Sequence, residues 1–261
     1  MTPLRAAFLE TDARAKARAT MSVSTGCGEA DWPDRPGRPE RPLLVTSRQL
    51  AKRSTATPEG RIALLHALAH IELNAIDLAL DIVGRFGTTL EIGAESTDFA
   101  TDWLGVARDE AKHFLMLADR LEAMGSQYGA LDAHDGLWQT ALASRDDVVE
   151  RLAIAPLTHE ARGLDVTPTL IIKLRGAGDE AGAAVLDVIY RDEIGHVAVG
   201  YRWFGHVCRA RGLDPEQAFG PALERIGLAR PHAPFNEPAR RQAGLTPAFD
   251  ITFFSGNRLT P

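Results

Sequence analysis

The chain predicts an all-α fold: a four-helix bundle with a long crossover and irregular arms at both ends. Three observations carry this. Long segments repeat apolar residues at helical spacing between recognisable caps. No segment shows the alternation of a strand. Two of the helical segments also carry the same pattern, Asp109-Glu110-Ala111-Lys112-His113 and Asp192-Glu193-Ile194-Gly195-His196, about eighty positions apart. Positions i and i+3 of a helix share a face, so each Glu-His pair points at one common object.

The elements follow in order. Residues 3–20 read as a short amphipathic helix. Residues 21–58 lose the helical period; Pro33, Pro36, Pro39 and Pro42 mark an extended arm, and Trp32, Leu43, Leu44 and Val45 suggest a strap over the bundle. The first bundle helix starts at Thr57-Pro58, a cap followed by proline at the first helical position, and ends near Gly84–Gly87. The second runs from about Ser96 to Met124 and stops at Gly125. The short link between them implies antiparallel neighbours. Residues 125–143 form the crossover and contain Tyr128, His134 and Trp138. A third helix covers roughly 144–162, kinked or started by Pro156 and ended by Gly163, and Thr167-Pro168 begins a short helix to about Arg175. The fourth runs from about Asp179 to Arg211 and closes at Gly212. The tail, with Phe219, Phe235, Phe249, Phe253 and Phe254, reads as a second strap. One domain over 1–261 is expected: arm 1–57, bundle 58–212 and arm 213–261.

With 16 Glu and 8 His in 261 residues, chance supplies roughly half of one E-x-x-H, so a single copy is weak evidence. A preceding Asp makes each hit about tenfold rarer, and the extended pattern occurs twice. Around the first copy lie Trp103, Val106, Ala107, Phe114, Leu117 and Leu121; around the second, Leu186, Ile189, Tyr190, Val197 and Trp203. The ionisable residues therefore sit in the stripe that faces the core, where an unpaired carboxylate costs several kcal/mol. A metal ion compensates them. A two-metal bundle site needs one further carboxylate from each remaining helix. Glu72 qualifies among Leu65, Ala69, Ile76 and Ala79, and Glu160 lies on the face of Ala153 and Leu157. His66 and His70 point away from the Glu72 direction and read as core or supporting histidines. Glu72, Glu110, Glu160 and Glu193 then balance two divalent cations, with His113 and His196 as neutral ligands. This mixed set suits iron, or manganese, better than structural zinc. Asp109 is placed to accept from His196 across the bundle, and Asp192 from His113. Tyr190, one turn before Glu193, is either a redox-active or hydrogen-bonding residue or a core tyrosine.

Composition narrows the setting. No apolar run reads as long and charge-free enough to span a membrane, and the N-terminus lacks a secretory apolar core. Two cysteines without C-x-x-C leave no disulfide framework or rubredoxin-type iron site, and a reduced cytoplasm is the default. A net charge of −6 without a basic block argues against a nucleic-acid surface. A homodimer is left open.

Taken with RPGRPERP at 35–42, EGRIALLHALAHIELNAIDLALD at 59–81, DEAKHF at 109–114, YGALDAHDGLW at 128–138, HEARGLDVTP at 159–168 and RDEIGHVAVGYRWF at 191–204, the ligand order resembles the ferritin-like diiron superfamily. More narrowly, the chain is similar to the bacterial ferritin-like family catalogued as domain of unknown function 455. The resemblance implies the same six ligands and names no reaction. Asp109 departs from it, since similar proteins more often carry Glu there. Iron-storage cages are compact bundles, and the arms would obstruct such assembly. Rubrerythrin-like peroxidases carry an extra carboxylate where this chain has Leu157. A tRNA-hydroxylase family is related, but the acidic charge disfavours that substrate. The expectation is a diiron or Mn/Fe oxidase or oxygenase acting on O2 and a small molecule with an unnamed electron donor. A non-enzymatic metal-binding or structural bundle is the competing class.

Overall fold

A computed structural model describes residues 1–250, and among them the chain is helical without a strand. The helices are α1 (Pro3–Leu9), α2 (Ala13–Met21), α3 (Pro58–Phe86), α4 (Ser96–Ala123), α5 (Gly136–Ala143), α6 (Val148–Ile154), α7 (Ala161–Gly176), α8 (Glu180–Ala210), α9 (Pro215–Arg225) and α10 (Glu237–Gln242). A wide π-type turn, Ala155–Glu160, joins α6 to α7 without a break. One continuous core runs through the long helices, with α3 against α4, α7 against α8, and α4 against α8.

The caps set the long helices as their sequences dictate. Thr57 Oγ1 accepts from Gly60 N at 3.1 Å, and Asp179 Oδ1 accepts from Gly182 N at 2.8 Å, each occupying an N–H that has no partner within its helix. Contrary to the composition reading, α3 does contain a window long and apolar enough to cross a membrane. Of that window, 72% is buried within the protein. A helix enclosed on nearly all sides is apolar on nearly all sides.

Other departures have local causes. The amphipathic stretch 3–20 is two helices, because Glu10 accepts from Thr11 N and Asp12 N and Asp12 then caps α2 through Ala15 N. The third bundle helix neither ends at Gly163 nor restarts at Pro168; both lie inside α7. Pro168 cannot donate to the Leu164 carbonyl one turn back, and Asn236 Nδ2 from the C-terminal segment donates to it instead, at 3.0 Å. The crossover contains α5, and the tail contains α9 and α10 rather than an irregular strap alone. Phe253 and Phe254 lie outside the described residues.

The N-terminal arm packs as a strap through Trp32, as expected, but not through the side chains of Leu43 and Leu44. Trp32 is buried against Gly84, where any Cβ would enter the indole, and its Nε1 donates to Asp81 Oδ1 at 2.8 Å. Leu43 and Leu44 remain about half exposed. That stretch is held through its backbone, Val45 N to Ala133 O and Ala133 N to Leu43 O, both 2.9 Å. Below the arm, Asp77 meets Lys16 Nζ at 2.5 Å and Arg38 at 3.2 Å, while Asp81 pairs with Arg151 and Arg85. These contacts fix α3, and with it the position of Glu72.

Candidate metal centre

Four helical segments carry the six predicted ligands; Glu72, Glu110, His113 and Glu193 come together in the core, while Glu160 and His196 stand outside that group. α3 supplies Glu72, α4 Glu110 and His113, the π turn ends on Glu160, and α8 supplies Glu193 and His196. Glu72, Glu110, His113 and Glu193 are all buried. Each offers one atom to a group lying within 4.8 Å of one another, an arrangement that could hold a metal ion.

His113 Nδ1 lies 3.3 Å from Glu72 Oε2 and 3.5 Å from Glu110 Oε2. His196 Nδ1 lies 2.9 Å from Glu110 Oε1 and 3.7 Å from Glu193 Oε2. Glu110 thus faces both imidazoles, whose ring centres are 5.8 Å apart. Glu160 sits close enough to Glu193 and Glu110 to feel their charge. None of the close approaches among these residues has hydrogen-bond geometry. Glu72 Oε2, both Glu110 oxygens, His113 Nδ1, Glu160 Oε2, Glu193 Oε2 and both His196 nitrogens are buried without a partner. Buried polar atoms are ordinarily paired, so this concentration on these six residues is what an electrophile-binding cluster would leave.

His113 is held from behind. Asp192 Oδ2 lies 3.1 Å from His113 Nε2, which leaves the Nδ1 lone pair facing the carboxylates when Nε2 carries the proton. Asp109 Oδ2 stands 3.5 Å from His196 Nε2. Lys112 joins the two supports, at 2.6 Å from Asp192 and 3.2 Å from Asp109. Sequence reasoning missed this lysine; its signal was the i,i+3 spacing from Asp109 within the first motif.

Electrostatics report the same imbalance. Burial, with Glu110 beside it, pushes the Glu72 carboxyl well above the usual range, and burial beside Glu193 does so for Glu160. Burial, followed by Glu110, also raises Glu193. For Glu110 burial acts upward too, but His196 and His113 overcome it and hold the group low. Burial would depress His113; Glu110 and Glu72 override it and push the imidazole up to about 11. Asp109 is drawn down to about 2, mainly by His196. Without a cation, protons neutralise the cluster.

On its other side the cluster opens into a cavity of about 580 Å³ bounded by α3, α7, α8 and the crossover, with all four glutamates in its wall. His66 and His70 line it as well, but their nitrogens serve the crossover: His66 Nε2 accepts from Gly129 N at 2.9 Å, and His70 Nδ1 lies 2.8 Å from Tyr128 Oη. Tyr190 is not in this wall. Its hydroxyl accepts from Asn236 Nδ2 at 2.9 Å, toward the C-terminal segment.

Comparison with known proteins agrees on the family. The family model described as "Protein of unknown function (DUF455)" matches residues 3–250. The chain belongs to the DUF455 family. A Haemophilus influenzae relative, recorded as an uncharacterized protein, is 46% identical over 210 residues, covering 80% of this chain and 73% of that protein. No solved structure matches.

Proposed function

We propose that this DUF455 protein is a ferritin-like four-helix bundle holding a carboxylate-bridged pair of metal ions, iron by preference with manganese as the alternative. We further propose that it oxidises or hydroxylates a small organic molecule with O2. The observation that carries the reading is the set of partnerless ligand atoms: buried oxygens of four carboxylates and buried nitrogens of two imidazoles lie without a hydrogen-bond partner, and among the described residues no lysine or arginine pairs with them. Glu72, Glu110, Glu160, Glu193, His113 and His196 would hold the metals, and their order along the chain supports the ferritin-like assignment.

Bound as Fe(II), the metals would supply two electrons for reducing O2, and an external electron donor would restore them for the next turnover. The chain's own residues do the rest. Asp192 orients His113, Asp109 stands behind His196, and Lys112 ties those two acids together at the surface. The cavity would bring a molecule to the carboxylate side of the cluster. The acidic balance makes nucleic acid a poor partner.

Purified protein from iron-supplemented cells should contain about two metals per chain. Anaerobic Fe(II) loading followed by O2 should produce an oxo-bridged near-ultraviolet band. Folded protein that stays metal-free removes the proposal, whereas a loaded, O2-inert and colourless site leaves a structural metal centre in its place.

A further inference from the structure

The cavity wall also speaks to what enters it. We propose that the cavity takes a neutral, mainly aliphatic small molecule whose alkyl body lies between α3, α7 and α8 and reaches the glutamates. The identification of this molecule as the oxidised substrate rests on the two-metal reading above; its binding does not.

The argument starts from side-chain type. Ala67, Ile71 and Ala75 of α3, Val166 of α7 and Leu186 and Ile189 of α8 line the space, and among the described residues no Phe, Tyr or Trp does. Described aromatic residues pack instead in the core and the N-terminal arm, as in Phe99–Trp203 and Phe8–Trp32. A planar aromatic guest would find no aromatic side chain other than imidazole to stack on. A volume of about 580 Å³ is that of an ordinary small-molecule pocket.

Charge lies only at the two ends. Inside are the four glutamates, which metal binding would neutralise. At the mouth, Arg53 and Asp132 oppose each other in sign, and Arg162 is already taken up by Asp165 and the carbonyls of His232 and Pro234. Neither an anionic nor a cationic headgroup therefore meets a dedicated partner. The intervening histidines do not supply one. His66, His70 and His159 are each engaged by the chain itself: their ring nitrogens bond Gly129, Tyr128 and Thr140, respectively.

Titrating metal-loaded protein with 1-butanol, 1-hexanol and 1-octanol tests this directly by calorimetry. Affinity should rise about fourfold per added methylene, the increment for burying a CH2 group. Octanol should bind at least as tightly as octanoate or octylammonium. Ala67→Phe and Val166→Phe fill the space from opposite walls, and each should weaken octanol binding about tenfold or more by excluding two or more methylenes. If one variant fails to fold, the other decides. Metal content is read on the same samples: octanol binding by a metal-free chain supports this inference while defeating the two-metal reading. A flat chain-length series, tighter binding of either charged analogue, or octanol binding untouched in the folded variants overturns the inference even when both metals are present.

Discussion

The protein buries two groups of acids on opposite sides of α3 and treats them differently. Asp77 and Asp81 face the N-terminal arm and α6, and each is met by cations from the chain itself: Lys16 and Arg38 for one, Arg151 and Arg85 for the other. Glu72 faces α4 and joins Glu110, Glu160 and Glu193, where no lysine or arginine enters. Asp77, Asp81, Glu72, Glu110 and Glu193 are all buried and Glu160 partly so, and burial alone does not distinguish a structural acid from a ligand. The identity of the counter-charge does. An acid answered by lysine or arginine is an anchor, and an acid without such a partner is, on the proposed reading, one that takes a cation from outside.

Four measurements can break or sharpen that contrast. The largest effect belongs to Glu110→Ala, which removes the carboxylate facing both histidines; metal content should fall from about two per chain to nearly none. Retention of both metals would show that the unanswered cluster is not their site. Next, Asp81→Ala leaves Arg151 buried and unpaired, with an expected loss of about 3–5 kcal/mol in denaturant unfolding and unchanged metal content per folded chain. An unfolding curve that does not move would mean that the anchor cluster contributes no more than a surface pair. Asp192→Asn weakens the support behind His113 and should reduce metal affinity about 10–100-fold by chelator competition, with little change in fold. Wild-type affinity in this variant would separate the rear acids from metal binding.

The smallest effect is in pH dependence. In metal-free protein His113 titrates near 11, against 6.5 for an unperturbed imidazole. A raised folded-state value contributes stability that is fully present below pH 6.5 and is lost as pH rises toward 11. The Tm of metal-free protein should therefore drift down between pH 7 and 10. Metal-loaded protein, whose imidazole has given up that proton, should lack the drift, and metal uptake at pH 7 should release protons into the buffer. Parallel Tm profiles for the two forms would contradict this.

What was legible in the sequence follows the range of the interaction. Glu110 and His113, or Glu193 and His196, are three residues apart and so declare a shared face. The caps at Thr57 and Asp179 declare where α3 and α8 begin. The anchors were not legible, because Lys16 and Asp77 are separated by 61 positions and Asp81 and Arg151 by 70, with no local spacing to link them. Pro168 misled for a related reason. The donor that lets it sit inside α7 is Asn236, far along the chain. The cavity wall is assembled from three helices and the crossover and has no linear signature at all.

The wide turn before α7 makes the position of Glu160 a matter of counting. An α-helix advances about 100° per residue, and a π-type turn takes up one residue more than an α-turn, so everything after it is rotated by about that angle. Pro156 fits there and packs against α8 at Gly200, where a Cβ would collide with the proline ring. Shortening Ala155–His159 by one residue would leave all six proposed ligands in the sequence, yet swing Glu160 about a quarter of a circle from its partners. At this joint, length carries information that residue identity does not.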